Sequence, residues 1–177
     1  FCHLEKRKQK QKNYWFERLA LMRANAFVAP TVFAAEMTLH LFSLSPKNLK
    51  VIYNGIDLDT FKNDYPLLYE KRLILYVGTI IRKKGVLELP AIFKKVREAI
   101  PEARLVLIGR DSFDLLTQSS STWELLKKEF EEEDLEQVSY LGKMSYDNVQ
   151  EYIRKANVCV FPSFAETFGM VTIEAMA

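Results

Sequence analysis

The sequence predicts an α/β fold in which helices flank a parallel β-sheet. After residue 70, short and almost wholly apolar segments alternate with longer amphipathic segments. Strands of a parallel sheet are buried on both faces and read as continuous apolar runs, and helices commonly connect them. With 177 residues, 49% of them hydrophobic and 27% charged, the chain can bury one core and part of a second.

The first 70 residues contain fewer predicted helices and strands than the rest of the chain. They are, in order, a helix up to about residue 24, a strand over residues 26–29, a helix from Pro30 to about Leu41 and a strand over residues 49–53. Asn54 and Gly55 then predict a sharp turn, because glycine readily adopts positive φ. Residues 54–70 show no clear hydrophobic period, and we interpret them as a linker.

The alternating region begins after this linker. Strands are predicted over residues 73–77, 105–108, 138–141 and 158–161, and helices over residues 85–99, 123–133 and 146–155. The first of these helices places five apolar residues along one side: Val86, Leu89, Phe93, Val96 and Ile100. Pro90 fits that helix only within its first turn. Residues 111–121 are interpreted as a loop, with Thr122 as the cap of the next helix.

Charge, cysteines and hydropathy exclude several classes of protein. A formal net charge of +2 gives no indication of nucleic acid binding. Cys2 and Cys159 lie far apart in the sequence and suit a reducing compartment without a disulfide framework. No apolar run approaches the length that spans a bilayer, and no secretory signal opens the chain, so we predict a cytoplasmic protein.

Basic residues stand beside aromatic ones near the beginning of the chain. Trp15 and Phe16 follow a run made of Lys6, Arg7, Lys8, Lys10 and Lys12. Two interpretations are open: a peripheral contact with the anionic inner face of a membrane, or a solvated helix whose apolar end packs on a partner domain. The second is favoured, because most charge runs are solvated surfaces.

The end of the chain carries the strongest functional pattern. Glu166 and Glu174 flank a segment that contains Phe168 and Gly169 and runs from a predicted strand into a helix. Backbone N–H groups at such a turn attract an anion, and the carboxylates can accept hydrogen bonds from hydroxyls on either side of it. A nucleotide sugar presents this sequence of groups: sugar hydroxyls, a diphosphate and ribose hydroxyls. Ordinary surface carboxylates at a helix start are the alternative.

This segment resembles the signature of the retaining glycosyltransferases of family four, S-x-x-E-x-F-G-x-x-x-x-E-A-M-A. The matching residues are Ser163, Glu166, Phe168, Gly169, Glu174, Ala175, Met176 and Ala177. The resemblance implies the GT-B architecture of two Rossmann-like domains, each a parallel sheet with flanking helices. Residues 54–57 also resemble the family's hinge. By that comparison residues 1–53 are the tail of an N-terminal acceptor domain, residues 54–70 the hinge, and residues 71–177 a truncated, nucleotide-sugar donor-binding domain.

The loop after the first strand of the donor-binding domain is the next candidate, because ligands bind outside the carboxyl ends of parallel strands. It begins at Gly78, and the resemblance implies that Lys84 binds the donor diphosphate and so has a catalytic role. Thr79 stands where the family usually has an arginine, and Arg82 is the candidate to replace it. A solvated basic run is the alternative, although the downstream motif favours binding by Lys84.

The loops that follow the next two predicted strands contain further donor-binding candidates. Gly109 allows a ligand to approach the backbone closely, while the role of Arg110 is open. Lys143 and Met144 follow Gly142, at a position where similar enzymes hydrogen-bond the nucleobase. A plain turn is the alternative there.

The resemblance also assigns the last motif and the reaction. It implies that Glu166 contacts the transferred sugar as a catalytic, positioning residue and that Glu174 contacts the ribose, with the diphosphate near the backbone of Phe168, Gly169 and Met170. The implied enzyme transfers a sugar from a nucleoside diphosphate sugar to a saccharide or lipid-linked acceptor hydroxyl, with retention and without a metal or a cofactor.

Polysaccharide or glycolipid synthesis is the implied setting, and we expect this chain alone to show no transfer. A non-catalytic nucleotide- or sugar-binding module is the alternative function. A dinucleotide oxidoreductase is disfavoured, because no G-x-G-x-x-G follows any predicted strand.

Overall fold

A computed structural model describes residues 11–45 and 48–177. The chain divides into two compact units. The first contains Phe1–Gly55 and Ala165–Met170, and the second contains Ile56–Phe164 and Val171–Ala177. The domain boundaries that follow the family hinge stay a prediction. The basic residues Lys6, Arg7, Lys8 and Lys10, together with Cys2, lie outside the described residues.

The first unit contains a strand–helix–strand arrangement. Helix α1 spans Gln11–Arg23, strand β1 Phe27–Ala29, helix α2 Val32–Phe42 and strand β2 Leu49–Val51. The two strands pair in parallel, with Phe27 opposite Leu49. Thr31 caps α2, because its side chain accepts a hydrogen bond from the backbone N–H of Ala34 at 3.0 Å. Both strands and α2 form in the predicted places, although β2 ends at Val51, two residues before its predicted end.

The second unit is built around a four-stranded parallel sheet. Its strands are β3 (Leu73–Val77), β4 (Arg104–Ile108), β5 (Val138–Tyr140) and β6 (Val158–Cys159), in the order β5-β4-β3-β6. The connecting helices are α4 (Leu89–Ala99), α5 (Thr122–Glu129), α6 (Glu132–Leu135) and α7 (Tyr146–Lys155), and α8 (Met170–Met176) follows β6. The predicted α/β class with a parallel sheet is confirmed.

The hydrophobic core lies between this sheet and its helices. Leu75 and Leu107, in the two central strands, have no exposed surface. The rings of Phe93 in α4 and Phe130 meet edge to face, with centroids 6.3 Å apart. Ile100 does not join this cluster, since it is 42% exposed. It follows the last residue of α4, where the helical period no longer applies.

Two predictions for the segment between β4 and β5 differ from the structure. Ser121, and not Thr122, caps α5, since its hydroxyl accepts from the N–H of Glu124 at 2.9 Å. Thr122 is buried and donates to the carbonyl of Ser112 at 2.7 Å. The single helix predicted over residues 123–133 is two helices, because Phe130 takes an extended conformation (ψ 142°) that turns its ring into the core.

The interpreted linker also contains a short helix, α3, over Leu58–Phe61. Asp57 caps it by accepting from the N–H of Asp59 at 3.1 Å and from the hydroxyl of Thr60 at 2.7 Å. Asp57 and Asp59 form an Asp-x-Asp pair, a spacing that can hold a metal, but the first carboxylate serves as a helix cap here. Pro90 lies at the start of α4, where its missing N–H costs no helical hydrogen bond.

Candidate functional site

A cavity of about 310 Å³ opens at the carboxyl ends of β3, β4 and β5. It is lined by Val77, Gly78, Thr79, Ile108, Gly109, Arg110, Lys143, Met144 and Val149. Four of the predicted donor-binding residues, Gly78, Gly109, Lys143 and Met144, are therefore brought together. This is the edge of a parallel sheet where ligands generally bind, and the volume lies at the lower end of the usual range for ligand pockets.

Close backbone contacts hold the three strand ends together. A Cβ at Gly109 would lie 1.8 Å from the carbonyl oxygen of Gly78, and Gly109 has a φ of +152°. The N–H of Gly109 donates to the carbonyl of Gly142 at 2.8 Å, and the Tyr140 hydroxyl donates to the Gly109 carbonyl at 2.9 Å. Because only glycine fits at position 109, the cavity wall is formed there by backbone alone.

The loop after β3 contains a short 3-10 turn, Arg82–Lys84. It is closed by the N–H of Lys84, which donates to the carbonyl of Ile81 at 2.9 Å. Gly85 follows with a φ of +67°, and a Cβ there would lie 1.8 Å from the carbonyl oxygen of Pro162. The backbone on either side of Lys84 is thus closely constrained by local hydrogen bonding and packing.

Arg82 forms a two-point ion pair with Asp114, which lies in the loop after β4. Its Nε donates to Oδ1 at 3.0 Å, and its Nη2 donates to Oδ2 at 2.9 Å. The Asp114 side chain is 3% exposed and that of Arg82 is 34% exposed. The hydrogen bonds from Arg82, reinforced by those from Thr117, hold the pKa of the Asp114 carboxyl well below its usual range. Asp114 is therefore charged at neutral pH.

Glu174 has a side-chain partner on α7. The hydroxyl of Tyr146 donates to its Oε1 at 3.0 Å, and the Tyr146 ring meets Phe61 edge to face, with centroids 5.6 Å apart. Burial, and then the hydrogen bond to the carboxylate, raise the pKa of Tyr146 above its ordinary value. Sequence reasoning missed Tyr146 and Asp114, which lie 28 and 32 residues from their partners.

Ala165–Met170, which leads into α8 and includes its first residue, belongs to the first unit and carries four predicted site residues: Glu166, Phe168, Gly169 and Met170. The hydroxyl of Thr31 donates to the carbonyl of Thr167 at 3.1 Å. Gly169 has a φ of +78°, and α8 begins directly after it, which is the glycine turn into a helix that the sequence predicts.

The other predicted site residues, Gly78, Arg82, Lys84, Gly109, Lys143, Met144 and Glu174, lie in the second unit. That both groups converge on one crevice stays a prediction. Burial raises the pKa of the Cys159 thiol in β6 to about 11, so this thiol is protonated at neutral pH. Within residues 11–45 and 48–177, no helix is both long and apolar enough to cross a bilayer.

Two protein families match the chain. The family described as "Glycosyl transferases group 1" matches residues 57–177, and the one described as "Glycosyltransferase Family 4" matches residues 1–60. A D-inositol 3-phosphate glycosyltransferase of Mycobacteroides abscessus is 23% identical over 172 residues. That alignment covers 91% of this chain and 37% of the relative, so the chain spans little more than a third of the curated relatives' length.

Solved structures share the fold. A sucrose-phosphate synthase from Thermosynechococcus elongatus aligns with a TM-score of 0.71 and 26% identity, over 96% of this chain and 42% of the synthase. The Anabaena protein HepE, solved in complex with UDP, aligns with a TM-score of 0.68 and 21% identity, over 95% of this chain and 47% of HepE. The resemblance to family-four glycosyltransferases of GT-B architecture is confirmed, and the chain belongs to the glycosyl transferases group 1 family.

Proposed function

We propose that this chain supplies the donor-binding part of a retaining glycosyltransferase, which transfers a sugar from a nucleoside diphosphate sugar to an acceptor hydroxyl. The observation that carries the proposal is the cavity at the carboxyl ends of β3, β4 and β5, whose lining includes Gly78, Gly109, Lys143 and Met144. Family membership makes glycosyl transfer the first reaction to consider for that cavity.

The cavity wall suits a nucleotide for two reasons. At Gly78 and Gly109 no side chain separates a ligand from the backbone, so a ligand can approach the cavity wall closely there. The mixed apolar and polar lining, with Met144 beside Lys143, resembles pockets that take a flat ring and fix its orientation with a few polar groups. The presence of UDP in the related fold of HepE makes uridine diphosphate the first ligand to try.

The chemistry proposed for Lys84 is electrostatic. Negative charge grows on the diphosphate oxygen as the bond to the sugar breaks, and an ammonium group beside that oxygen lowers the barrier. Lys84 is the last residue of the 3-10 turn, on a loop whose backbone is constrained, so its charge is carried on a preorganised support. Glu166 is assigned to positioning of the transferred sugar, and no metal or cofactor is assigned.

The acceptor is proposed as a hydroxyl of a saccharide or a lipid-linked saccharide, in polysaccharide or glycolipid synthesis. A cytoplasmic location, with peripheral contact at the inner face of a membrane through the basic segment that includes Lys12, belongs to this proposal. The basic residues before it lie outside the described part of the chain. Binding of the chain to vesicles that contain anionic lipid, compared with neutral vesicles, tests the membrane contact.

Substitution of Lys84 tests the donor site. Lys84→Ala is expected to weaken uridine diphosphate binding about tenfold, the loss typical of a charge-assisted hydrogen bond, and to leave uridine binding unchanged. Calorimetry with both ligands measures the two affinities. Lys128→Ala, an exposed lysine on α5, is the matched control. Equal losses for the diphosphate and the nucleoside would show that Lys84 does not contact phosphate.

Turnover separates the enzyme from a non-catalytic binding module. In a protein that joins this chain to a complete acceptor domain, Glu166→Ala is expected to reduce sugar transfer about a hundredfold and to change nucleotide affinity little. Anomeric configuration of the product, read by NMR, tests retention. Wild-type turnover in the variant would remove the role of Glu166. Nucleotide binding without transfer from any donor would favour the binding module.

A further inference from the structure

We propose that Asp114 is a positioning residue of the donor diphosphate site, and that it acts by holding Arg82 and thereby the backbone that carries Lys84. The inference rests on the proposed donor site but concerns a residue outside the predicted set. It also gives Arg82 a different role: Arg82 fixes the loop through the two nitrogens that pair with Asp114.

The first step is the geometry of the pair. Two nitrogens of the planar guanidinium, Nε and Nη2, each donate to a different carboxylate oxygen of Asp114. Two-point pairing fixes both the distance and the orientation of Arg82, which a single contact does not do. Arg82 begins the 3-10 turn that ends at Lys84. The position of the Arg82 backbone therefore sets where the turn starts.

The second step is that Asp114 is itself held in place. Its Oδ2 accepts from the backbone N–H of Thr117 at 3.0 Å and from the Thr117 hydroxyl at 2.7 Å. The backbone N–H of Asp114 donates to the carbonyl of Ser119 at 2.9 Å. With its side chain 3% exposed, the carboxylate cannot follow Arg82 into solvent. Asp114 is a fixed anchor, and Arg82 is the group that it holds.

The third step is that the loop has a second anchor beyond Lys84. Gly85 packs against the carbonyl of Pro162, and the N–H of Phe164 donates to the carbonyl of Lys83 at 3.2 Å. Lys84 thus lies between a side-chain anchor at Arg82 and a backbone anchor at Gly85. Loss of either anchor frees one end of the turn, and a displacement of about 1 Å is enough to weaken a charged contact to a ligand.

The pair also limits how Arg82 can meet a phosphate. A phosphate contact by the same two nitrogens would require the guanidinium to leave a buried carboxylate. An uncompensated buried charge is costly, so the pair is expected to persist when a ligand binds. Under the alternative in which these two nitrogens bind phosphate directly, removal of the Asp114 charge releases Arg82 and leaves diphosphate affinity unchanged or raises it. The two roles therefore predict opposite results for one substitution.

Asp114→Asn is the deciding variant, measured in the intact chain by calorimetry with uridine diphosphate and with uridine. We expect diphosphate affinity to fall five- to tenfold while uridine affinity stays within twofold. Arg82→Ala should give the same loss, and the double variant should be no worse than either single variant, because all three changes remove the same anchor. Unchanged or tighter diphosphate binding by Asp114→Asn would overturn the proposal.

Two further variants control for the possibility that Asp114→Asn lowers affinity only by destabilising the fold. Thr117→Val removes only one hydroxyl contact to Asp114 and is expected to lower diphosphate affinity two- to threefold in a chain that folds normally. Asp134→Asn breaks the other part-buried arginine–aspartate pair, with Arg97, and should leave the ratio of the two affinities unchanged. An equal change of this ratio by Asp134→Asn would reduce the role of Asp114 to folding alone.

Nucleotide binding by the unaltered chain distinguishes a failure of this inference from a failure of the proposed function. Tighter binding of uridine diphosphate than of uridine, unaffected by Asp114→Asn, would leave the donor site standing and remove only the role of Asp114. Failure of the unaltered chain to bind any of the uridine, guanosine or adenosine diphosphates would overturn both.

Discussion

Two arginine–aspartate pairs lie at opposite edges of the parallel sheet, and one of them joins loops at the carboxyl edge, where the cavity opens. Arg82–Asp114 links the loops that follow β3 and β4. Arg97–Asp134 joins the end of α4 to α6, which leads into β5, and its nitrogen–oxygen distance is 2.7 Å. Both aspartates are largely buried. The same interaction thus joins two helices at the amino edge and two loops at the carboxyl edge.

The two edges differ in their backbones as well. Further ion pairs at the amino edge, Arg72–Glu102 at 3.2 Å and Arg104–Glu70 at 2.9 Å, are about half exposed and contribute little to stability. At the carboxyl edge, glycines with positive φ allow backbones to approach one another closely. The comparison indicates that the amino edge tolerates substitution, whereas the carboxyl edge depends on particular backbone positions.

The largest expected effect is on the glycine contact at the carboxyl edge. Gly109→Ala places a methyl group 1.8 Å from the Gly78 carbonyl oxygen, so the free energy of unfolding should fall by about 3 kcal/mol. Gly142→Ala, where the φ is +69° and no atom lies within 4 Å of the added carbon, should cost about 1 kcal/mol. Urea unfolding followed by Trp123 fluorescence, in a Trp15→Phe background, measures both. Equal losses would mean that the close approach is not what constrains position 109.

The next effect is the pH dependence of the Arg82–Asp114 pair. Because the folded-state pKa of Asp114 is lowered, its contribution is fully present above the unfolded-state pKa of about 3.9 and is lost as the pH falls below it. Asp114→Asn should therefore reduce the free energy of unfolding by about 2 kcal/mol at pH 6 to 7. The difference from the unaltered chain should shrink below about pH 4. Urea unfolding across this range checks the sign, and a difference that widens with acid would contradict it.

The smallest effect concerns a more exposed contact, the hydrogen bond from Tyr146 to Glu174. Tyr146→Phe keeps the ring against Phe61 but removes the hydroxyl, so Glu174 loses its orientation and uridine diphosphate affinity should fall two- to fivefold. A diphosphate that lacks both ribose hydroxyls should show no such loss, because it offers Glu174 nothing to bind. Tyr152→Phe on the same helix is the control. The same loss with both ligands would disprove a contact between Glu174 and the ribose.

Sequence patterns predicted the elements whose formation depends on nearby residues. Helix α7 has the predicted bounds, Tyr146–Lys155, because Ser145 caps it and its apolar positions keep a helical period. The break at Phe130 escaped prediction, since it arises from packing against Phe93, 37 residues earlier in the chain. Helix α3 was missed for a different reason: Asp57 is a recognisable cap, but the segment is too short to show a period.

The residues of the candidate site show the same difference between those predictable from local patterns and those that depend on distant contacts. Residues at strand exits, such as Lys143 and Met144, could be found because each strand end is visible as a local pattern, and both line the cavity. The role of Asp114 could not be predicted from the sequence. Its partner Arg82 lies in a different loop, 32 residues earlier, and no local pattern around Asp114 indicates that the two loops meet. The assignment of ligand roles to Lys84, Glu166 and Glu174 came from family resemblance and stays a prediction.

The contact between Gly78 and Gly109 has a consequence for efforts to change what the cavity binds. Randomised libraries usually vary every lining position, yet variants at 109 would mostly fail to fold and waste screening capacity. Lys143 and Met144 present side chains to the same cavity without that constraint. A library restricted to these two positions should keep most of its members foldable while still altering what the cavity accepts.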